Sequence, residues 1–181
     1  MEKVACFIDG GYLQKILSSF SRPRINHTKL IELMKGRDQL LRAYYYDCRS
    51  LIREGHEQED EVRQSRQDKF FDYLQSLPQF ECKFGMLKQY IKPNGEFEFV
   101  QKQVDVLMAI DLVTLSAKHL ITQAKIMTGD SDLIPAIQVV KNEGVVVELF
   151  YLNGSTTVEL LKTTDIATPI DHDFIEKTLS D

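Results

Sequence analysis

Two short apolar runs end abruptly in carboxylate-bearing turns, and this limits the fold more than any other feature of the chain. Val4 to Ile8 stops at Asp9-Gly10-Gly11, and Ala124 to Thr128 stops at Gly129-Asp130-Ser131-Asp132. An apolar run of this length closed by Gly and Asp reads as a buried strand that delivers the chain into a sharp turn. Helical periodicity follows each turn, at Tyr12 to Phe20 and at Leu133 to Asn142, the second closing near Gly144. Thr28 to Lys35 reads as a further helix with Thr28 as its N-cap. Val104 to Leu120 reads as another, with Val104, Leu107, Met108, Leu112 and Leu115 on one face. Leu40 to Tyr46 and Val145 to Tyr151 read as strands, and the second lacks alternation, as expected for burial on both faces.

The segment from Arg53 to Asp72 is dense in charge and carries only a sparse stripe of Val62, Phe70, Phe71 and Leu74. It predicts a long solvated helix ended by Leu77-Pro78. Phe80 to Ile91 and Glu96 to Val100, joined by Pro93-Asn94-Gly95, predict a hairpin. Val158 to Lys162 predicts a short helix, and the tail from Ile166 carries no firm pattern. Strands alternating with helices imply an α/β three-layer fold with a mainly parallel central sheet flanked by helices. No repeat, low-complexity tract or long linker interrupts it, so residues 1–181 read as a single domain.

Composition narrows the partners. The net charge is -5, so nucleic acid would need a local basic groove or metal ions bridging acidic side chains to phosphate. No run approaches the ~18 apolar residues of a membrane span, and no secretory signal opens the chain. Cys6, Cys48 and Cys82 are odd in number and far apart, which excludes a disulfide framework or a Cys-x-x-Cys site. A reduced, cytoplasmic protein is the expectation. His27, His56, His119 and His172 are scattered, and none pairs at i, i+4 as in a zinc hydrolase.

The chemistry therefore falls to carboxylates. Asp9, Asp130 and Asp132 lie just beyond strand ends, and Asp105 lies in the first turn of a helix. In an open parallel sheet, ligands bind outside the carboxyl ends of the strands. Carboxylates gathered there repel one another unless a cation neutralises them, and an all-oxygen donor set suits Mg²⁺ or Mn²⁺. Such an ion activates water and clamps a phosphodiester. Each acid also has a plainer role open to it. Asp9 suits a turn or cap, Asp132 suits an N-cap, and Asp105 suits a helix macrodipole. Asp111 lies ~120° around the helix from Asp105 and fits a supporting or structural role better.

Four segments resemble the NYN domain, a branch of the PIN-like nuclease superfamily, and within it the bacterial LabA-like group. They are Phe7-Ile8-Asp9-Gly10-Gly11-Tyr12-Leu13, the helix from Lys102 to Leu112, Thr128-Gly129-Asp130-Ser131-Asp132-Leu133-Ile134-Pro135, and Gly144-Val145-Val146-Val147. The resemblance implies a PIN-like fold and metal-dependent ribonuclease chemistry. It makes Asp9, Asp105, Asp130 and Asp132 the catalytic, metal-binding acids, with Asp111 and Ser131 as candidates to support them from outside the ion's direct contacts. The family often has Asn where this chain has Tyr12, and Gly where it has Gln103.

RNA is the implied substrate, and the sequence leaves room for a homo-oligomer but none for a membrane. Tyr12, Lys88, Lys92 and Lys102 are candidate substrate contacts, within a wider basic set of Arg22, Arg24, Arg37, Arg42, Arg49, Arg53 and Lys83. For any one of these cations, ordinary solvated surface is the plainer reading. Tyr44, Tyr45 and Tyr46 offer either a stacking surface or, more simply, core. A haloacid-dehalogenase-like phosphatase needs a second Asp two residues after the first, where Gly11 stands. A dinucleotide site needs a G-x-G-x-x-G that is absent. The non-enzymatic alternative is an RNA-binding or regulatory module with a weak or inactive metal site.

Overall fold

The computed structural model describes residues 2–53, 55–91, 93 and 97–180. Its strands are β1 (Lys3–Asp9), β2 (Gln39–Cys48), β3 (Phe80–Ile91), β4 (Phe97–Lys102), β5 (Gln123–Met127), β6 (Val146–Tyr151) and β7 (Ile166–Pro169). They form one sheet in the order β4-β3-β2-β1-β5-β6-β7. Every neighbouring pair is parallel except β3 and β4. The helices are α1 (Gly10–Ser19), α2 (His27–Lys35), α3 (Glu57–Ser76), α4 (Val104–Ala117), α5 (Ile134–Asn142), α6 (Val158–Thr163) and α7 (His172–Thr178).

Parallel strands need long crossovers, and the helices supply them on both faces. Val104, Met108, Leu112, Ile137, Val140 and Leu160 bring α4, α5 and α6 onto one face. Leu13, Ile16, Leu30, Phe71, Leu74 and Ile175 bring α1, α2, α3 and α7 onto the other. β1 lies between the layers. Ala5 and Phe7 point into the first core, Cys6 and Ile8 into the second, and none is exposed. That is why its sequence is apolar throughout rather than alternating. The topology places a switch point at β1, because β2 lies on one side of it and β5 on the other.

Several local expectations are refined by tertiary contacts. Asn26, not Thr28, caps α2, accepting from the backbone N–H groups of Thr28 and Lys29. The three consecutive tyrosines are core: Tyr44 and Tyr46 face one layer and Tyr45 the other, so they offer no exposed stacking surface. In α3, Phe71 and Leu74 are buried but Val62 is exposed, so only the C-terminal half of the stripe packs. β6 is not wholly apolar within the sheet, because Glu148 stands beside Lys125 of β5 and bonds to both it and Thr168 of β7. The unassigned tail forms β7 and α7, completing one edge and one layer. The hairpin pairs Met86 with Lys102 through to Ile91 with Phe97. Its expected turn residues Asn94 and Gly95, with Glu96 and Lys92, lie outside the described residues.

His27, at the start of α2, is buried among Tyr45, Phe70 and Tyr73, and its Nδ1 has no hydrogen-bond partner among the described residues. Burial pushes its pKa from the usual 6.5 down to about 4. Between those values the unfolded chain binds a proton that the folded one refuses, so stability falls as pH falls through this window. Replacing His27 with Phe should leave stability at pH 7 unchanged or higher. It should also flatten the decline between pH 6.5 and 4, as read by chemical denaturation at each pH.

Candidate metal centre

The carboxyl ends of three parallel strands and the first turn of one helix meet at a single edge of the sheet. Asp9 ends β1 and N-caps α1, where its Oδ1 accepts from the Tyr12 N–H at 3.0 Å. β5 ends at Met127, and the next residues build a tight turn. The Asp130 N–H donates to Thr128 Oγ1 at 3.1 Å, and Asp130 Oδ1 accepts from the Asp132 N–H at 2.9 Å. This caps a single turn of 3-10 helix over Ser131–Leu133 that feeds α5. Both strand-end acids are therefore caps as well as members of the site. Asp132, the expected cap, is exposed and makes no cap of its own.

Asp105, Asp130 and Asp132 each place one carboxylate oxygen within 4.8 Å of the others. Ligands on opposite sides of a six-coordinate Mg²⁺ would lie ~4.2 Å apart, given bonds of about 2.0–2.1 Å. The spacing is of that order and the donor set is all oxygen, so these residues fit a hard divalent ion. Asp9 stands beside this trio rather than within it. Burial raises its pKa, and the neighbouring Asp130 carboxylate raises it further, against hydrogen bonds from Tyr12, Gly11 and Thr128. Asp9, Asp130, Lys15 and Tyr12 line an open cleft of about 290 Å³.

The remaining candidates separate by contact. The Tyr12 hydroxyl accepts from the Leu152 N–H at 3.0 Å and lies 2.8 Å from Ser155 Oγ and 2.9 Å from Thr156 Oγ1. Its ring packs on Gly129, where an added Cβ would collide with it. Tyr12 is a strut from α1 to the loop after β6, pressed against the turn that carries Asp130. Asp111 accepts from the Tyr46 hydroxyl at 2.8 Å and from Lys83 Nζ at 2.7 Å, which pins α4, and with it Asp105, to β2 and β3. Ser131 opens the 3-10 turn. Lys88 is exposed on the hairpin, while Lys92 and the Lys102 side chain lie outside the described residues. Arg42, Arg49 and Arg53 pair with Glu81, Asp68 and Asp60, so much of the expected basic groove is neutralised in place. The departure at position 103 also has a location. Gln103 has φ 73 at the entry to α4, the left-handed conformation that favours Gly.

Two residues of the site were not picked out from the sequence. Asp47, near the end of β2, approaches Asp9 across Gly10, where an added Cβ would come within 2.7 Å of Asp47 Oδ2. The rule that selected Asp9, a carboxylate following an apolar strand, would have found it. Lys15 carries no sequence signal. It reaches the cleft because it lies one helical turn beyond Gly11, which also lines it.

The NYN domain family model matches residues 3–171. The chain belongs to the NYN domain family. A protein of Sinorhizobium fredii, the uncharacterized protein y4oD, is 32% identical over 90 residues. That match covers 48% of this chain and 41% of the relative. The chain thus spans less than half the length of that relative. A crystal structure of a protein of unknown function from Vibrio parahaemolyticus superposes with a TM-score of 0.67 at 17% identity. It covers 96% of both chains and shows the same fold. NYN membership gives this molecule a nuclease-type fold, and the Asp105–Asp130–Asp132 group is compatible with the divalent-metal dependence typical of NYN nucleases. Among the described residues no helix is long and apolar enough to cross a membrane.

Two measurements probe this arrangement without any assay of activity. Tyr12→Phe strands the Leu152 N–H and should cost about 1–3 kcal/mol of stability by denaturant titration. Burial, reinforced by Asp9, raises the Asp47 pKa from 3.8 to about 6. Between those values the folded state holds a proton that the unfolded state has lost, so this group lowers stability as pH rises through the window. Metal-free Asp47→Asn protein should therefore be more stable than wild type at pH 7, by on the order of 1–3 kcal/mol. It should match wild type below pH 4.

Proposed function

We propose that this NYN domain is a metal-dependent ribonuclease that hydrolyses RNA phosphodiester bonds at the carboxyl edge of its sheet. The observation that carries the reading is the convergence of Asp105, from α4, with Asp130 and Asp132, from the turn after β5. Asp105 lies 25 residues before Asp130 and shares no local structural reason to meet that turn. Asp105, Asp130 and Asp132 would hold Mg²⁺ or Mn²⁺, and Asp9 would complete the negative field beside them. When bound, such an ion lowers the pKa of water and offsets charge on a phosphate oxygen.

The chain's own groups supply the rest. The Asp132 N–H orients one oxygen of Asp130 and leaves the other free for a ligand. Lys15 places a cation on the wall of the same cleft, where it would draw the RNA backbone towards the acids. Asp9 is fixed by the Tyr12 N–H, and its raised proton affinity suits it to accept a proton from an attacking water. No protein nucleophile is required.

Asp130→Asn tests the assignment. The two side chains are nearly isosteric and serve turns equally well, so a purely structural residue would tolerate the change. Single-stranded RNA cleavage with Mn²⁺ or Mg²⁺ should fall about 100-fold or more, since even groups that merely support metal ligands cost 10–100-fold when changed. A chelator should abolish wild-type cleavage, and the thermal midpoint of the metal-free variant should be unchanged or raised. Equal cleavage by both proteins would remove Asp130 from the chemistry. RNA binding without cleavage by wild type would instead identify a binding module.

A further inference from the structure

A second cavity, of about 380 Å³, opens on the helix-covered face between α1, α3 and the segment leading into α2. Its wall combines aromatic rings, an imidazole and guanidinium groups. Phe70 is half-buried and Tyr73 is exposed, and both rings stand edge-on to the His27 imidazole, at 5.3 and 6.4 Å between centroids. His27 lines the cavity as a neutral ring whose Nδ1 is buried. Arg22 and Arg24 flank it, both exposed and neither in an ion pair among the described residues. Arg42, Arg49, Arg53 and Arg63 are all paired with carboxylates.

The segment carrying these arginines is held in place. Ser21 and Arg22 are consecutive non-glycine residues at φ 64 and 55. Left-handed backbone at such residues costs energy and persists only where the surroundings impose it. Here the Arg22 N–H donates to the Leu17 carbonyl at 2.7 Å, and the Arg24 carbonyl accepts from the Ser180 N–H at 3.0 Å. The strain fixes Arg22 at the cavity mouth. An exposed ring and a half-buried one beside guanidinium groups without ion pairs are the chemistry of base stacking with phosphate binding.

α1 runs from the acidic edge, where Asp9 caps it, to the cavity, which Gln14 and Leu17 line. Gly10, Gln14 and Leu17 follow i, i+4, i+7 spacing on one side of α1. Gly10 abuts Asp47 and Tyr45, while Gln14 and Leu17 line the cavity. The run from Asp9 to Leu17 covers ~12 Å of helix axis.

We infer that this cavity is a nucleotide-binding subsite, taking a base against Tyr73 and Phe70 beside His27 and a phosphate on Arg22 and Arg24. It rests on the reading that RNA is the substrate. The base it holds belongs to the same single strand whose phosphodiester lies over the acids. A free nucleoside monophosphate presents the same chemistry, so both are tested.

The test is equilibrium binding in the presence of a chelator, with a short oligoadenylate in one arm and AMP in the other. The His27 ring resonances are followed by NMR alongside. Wild type, Tyr73→Ala, the double variant Arg22→Gln/Arg24→Gln, and Asp130→Asn are compared, each with a thermal melt. Of the two helix-side variants, the arginine variant alters exposed side chains and should melt as wild type does, and the melt of Tyr73→Ala reads separately what loss of a ring packed on His27 does to the fold. Oligoadenylate should shift the His27 signals. Tyr73→Ala should weaken its binding on the order of ten-fold. The arginine variant should reduce the salt slope of log K by about 0.7, from one phosphate contact on a single strand. Asp130→Asn should bind at least as tightly as wild type. Sensitivity confined to the oligonucleotide assigns the site to a strand, and sensitivity confined to AMP assigns it to a free nucleotide. Unmoved His27 signals in both arms, or wild-type affinity in both helix-side variants, would overturn the proposal. Because no step needs cleavage, loss of the nuclease reading would show separately, as intact RNA bound by an inactive wild type.

Discussion

Mutual repulsion among carboxylates gathered at one edge of a sheet is the force that the architecture must contain. Asp9, Asp105, Asp130 and Asp132 occupy that edge, with Asp47 close behind Asp9. In water these side chains would separate. Here two of them are tied to backbone N–H groups as caps, Asp9 to α1 and Asp130 to the 3-10 turn. A cap bond orients a carboxylate and favours its charged form, partly offsetting burial. The remaining imbalance appears as the raised proton affinity of Asp9 and Asp47. A divalent cation is the natural counter-charge for such a set.

Two tyrosines from different layers hold this edge in shape. Tyr12 braces α1 against the loop after β6 and presses on Gly129, so the turn bearing Asp130 cannot drift from Asp9. Tyr46 holds Asp111, which Lys83 also grips, and together they fix α4 to the sheet. Asp105 is carried by that helix. The geometry of the acids is thus set by contacts on both sides of the sheet. Gly10 and Gly129 are needed for want of a side chain, because their neighbours leave no room for one.

The positive charge of the chain is divided by the same logic. Most arginines near β2, β3 and α3 are consumed in ion pairs, including the buried Asp60 with Arg53 and Arg63. Those hydrogen bonds hold the Asp60 carboxyl well below the usual carboxylate range. Lys15, Arg22 and Arg24 stay free of ion pairs among the described residues, and they lie along or just beyond α1. A net-acidic protein can in this way keep one unpaired cation at its acidic cleft and two at a second cavity.

The sequence by itself determined the alternation of strands and helices, the apolar character of β1 and the strand-end position of Asp9, Asp130 and Asp132. Those features are local: a buried parallel strand must be apolar on both faces, and a turn after it must carry Gly, Asp or Ser. It also held the NYN motifs in order. Only the tertiary structure decided which acids meet. Asp105 lies 25 residues before Asp130 in the sequence, and their approach depends on α4 docking against α5 and the 3-10 turn that precedes it. The same holds for Tyr12, whose partners at Leu152, Ser155 and Thr156 are remote in the chain. The capping of α2 by Asn26, the pairing of Glu148 with Lys125 and the sorting of the arginines into paired and unpaired were likewise settled by neighbours. A side chain's role follows from what is packed against it, and packing joins segments that the order of residues keeps apart.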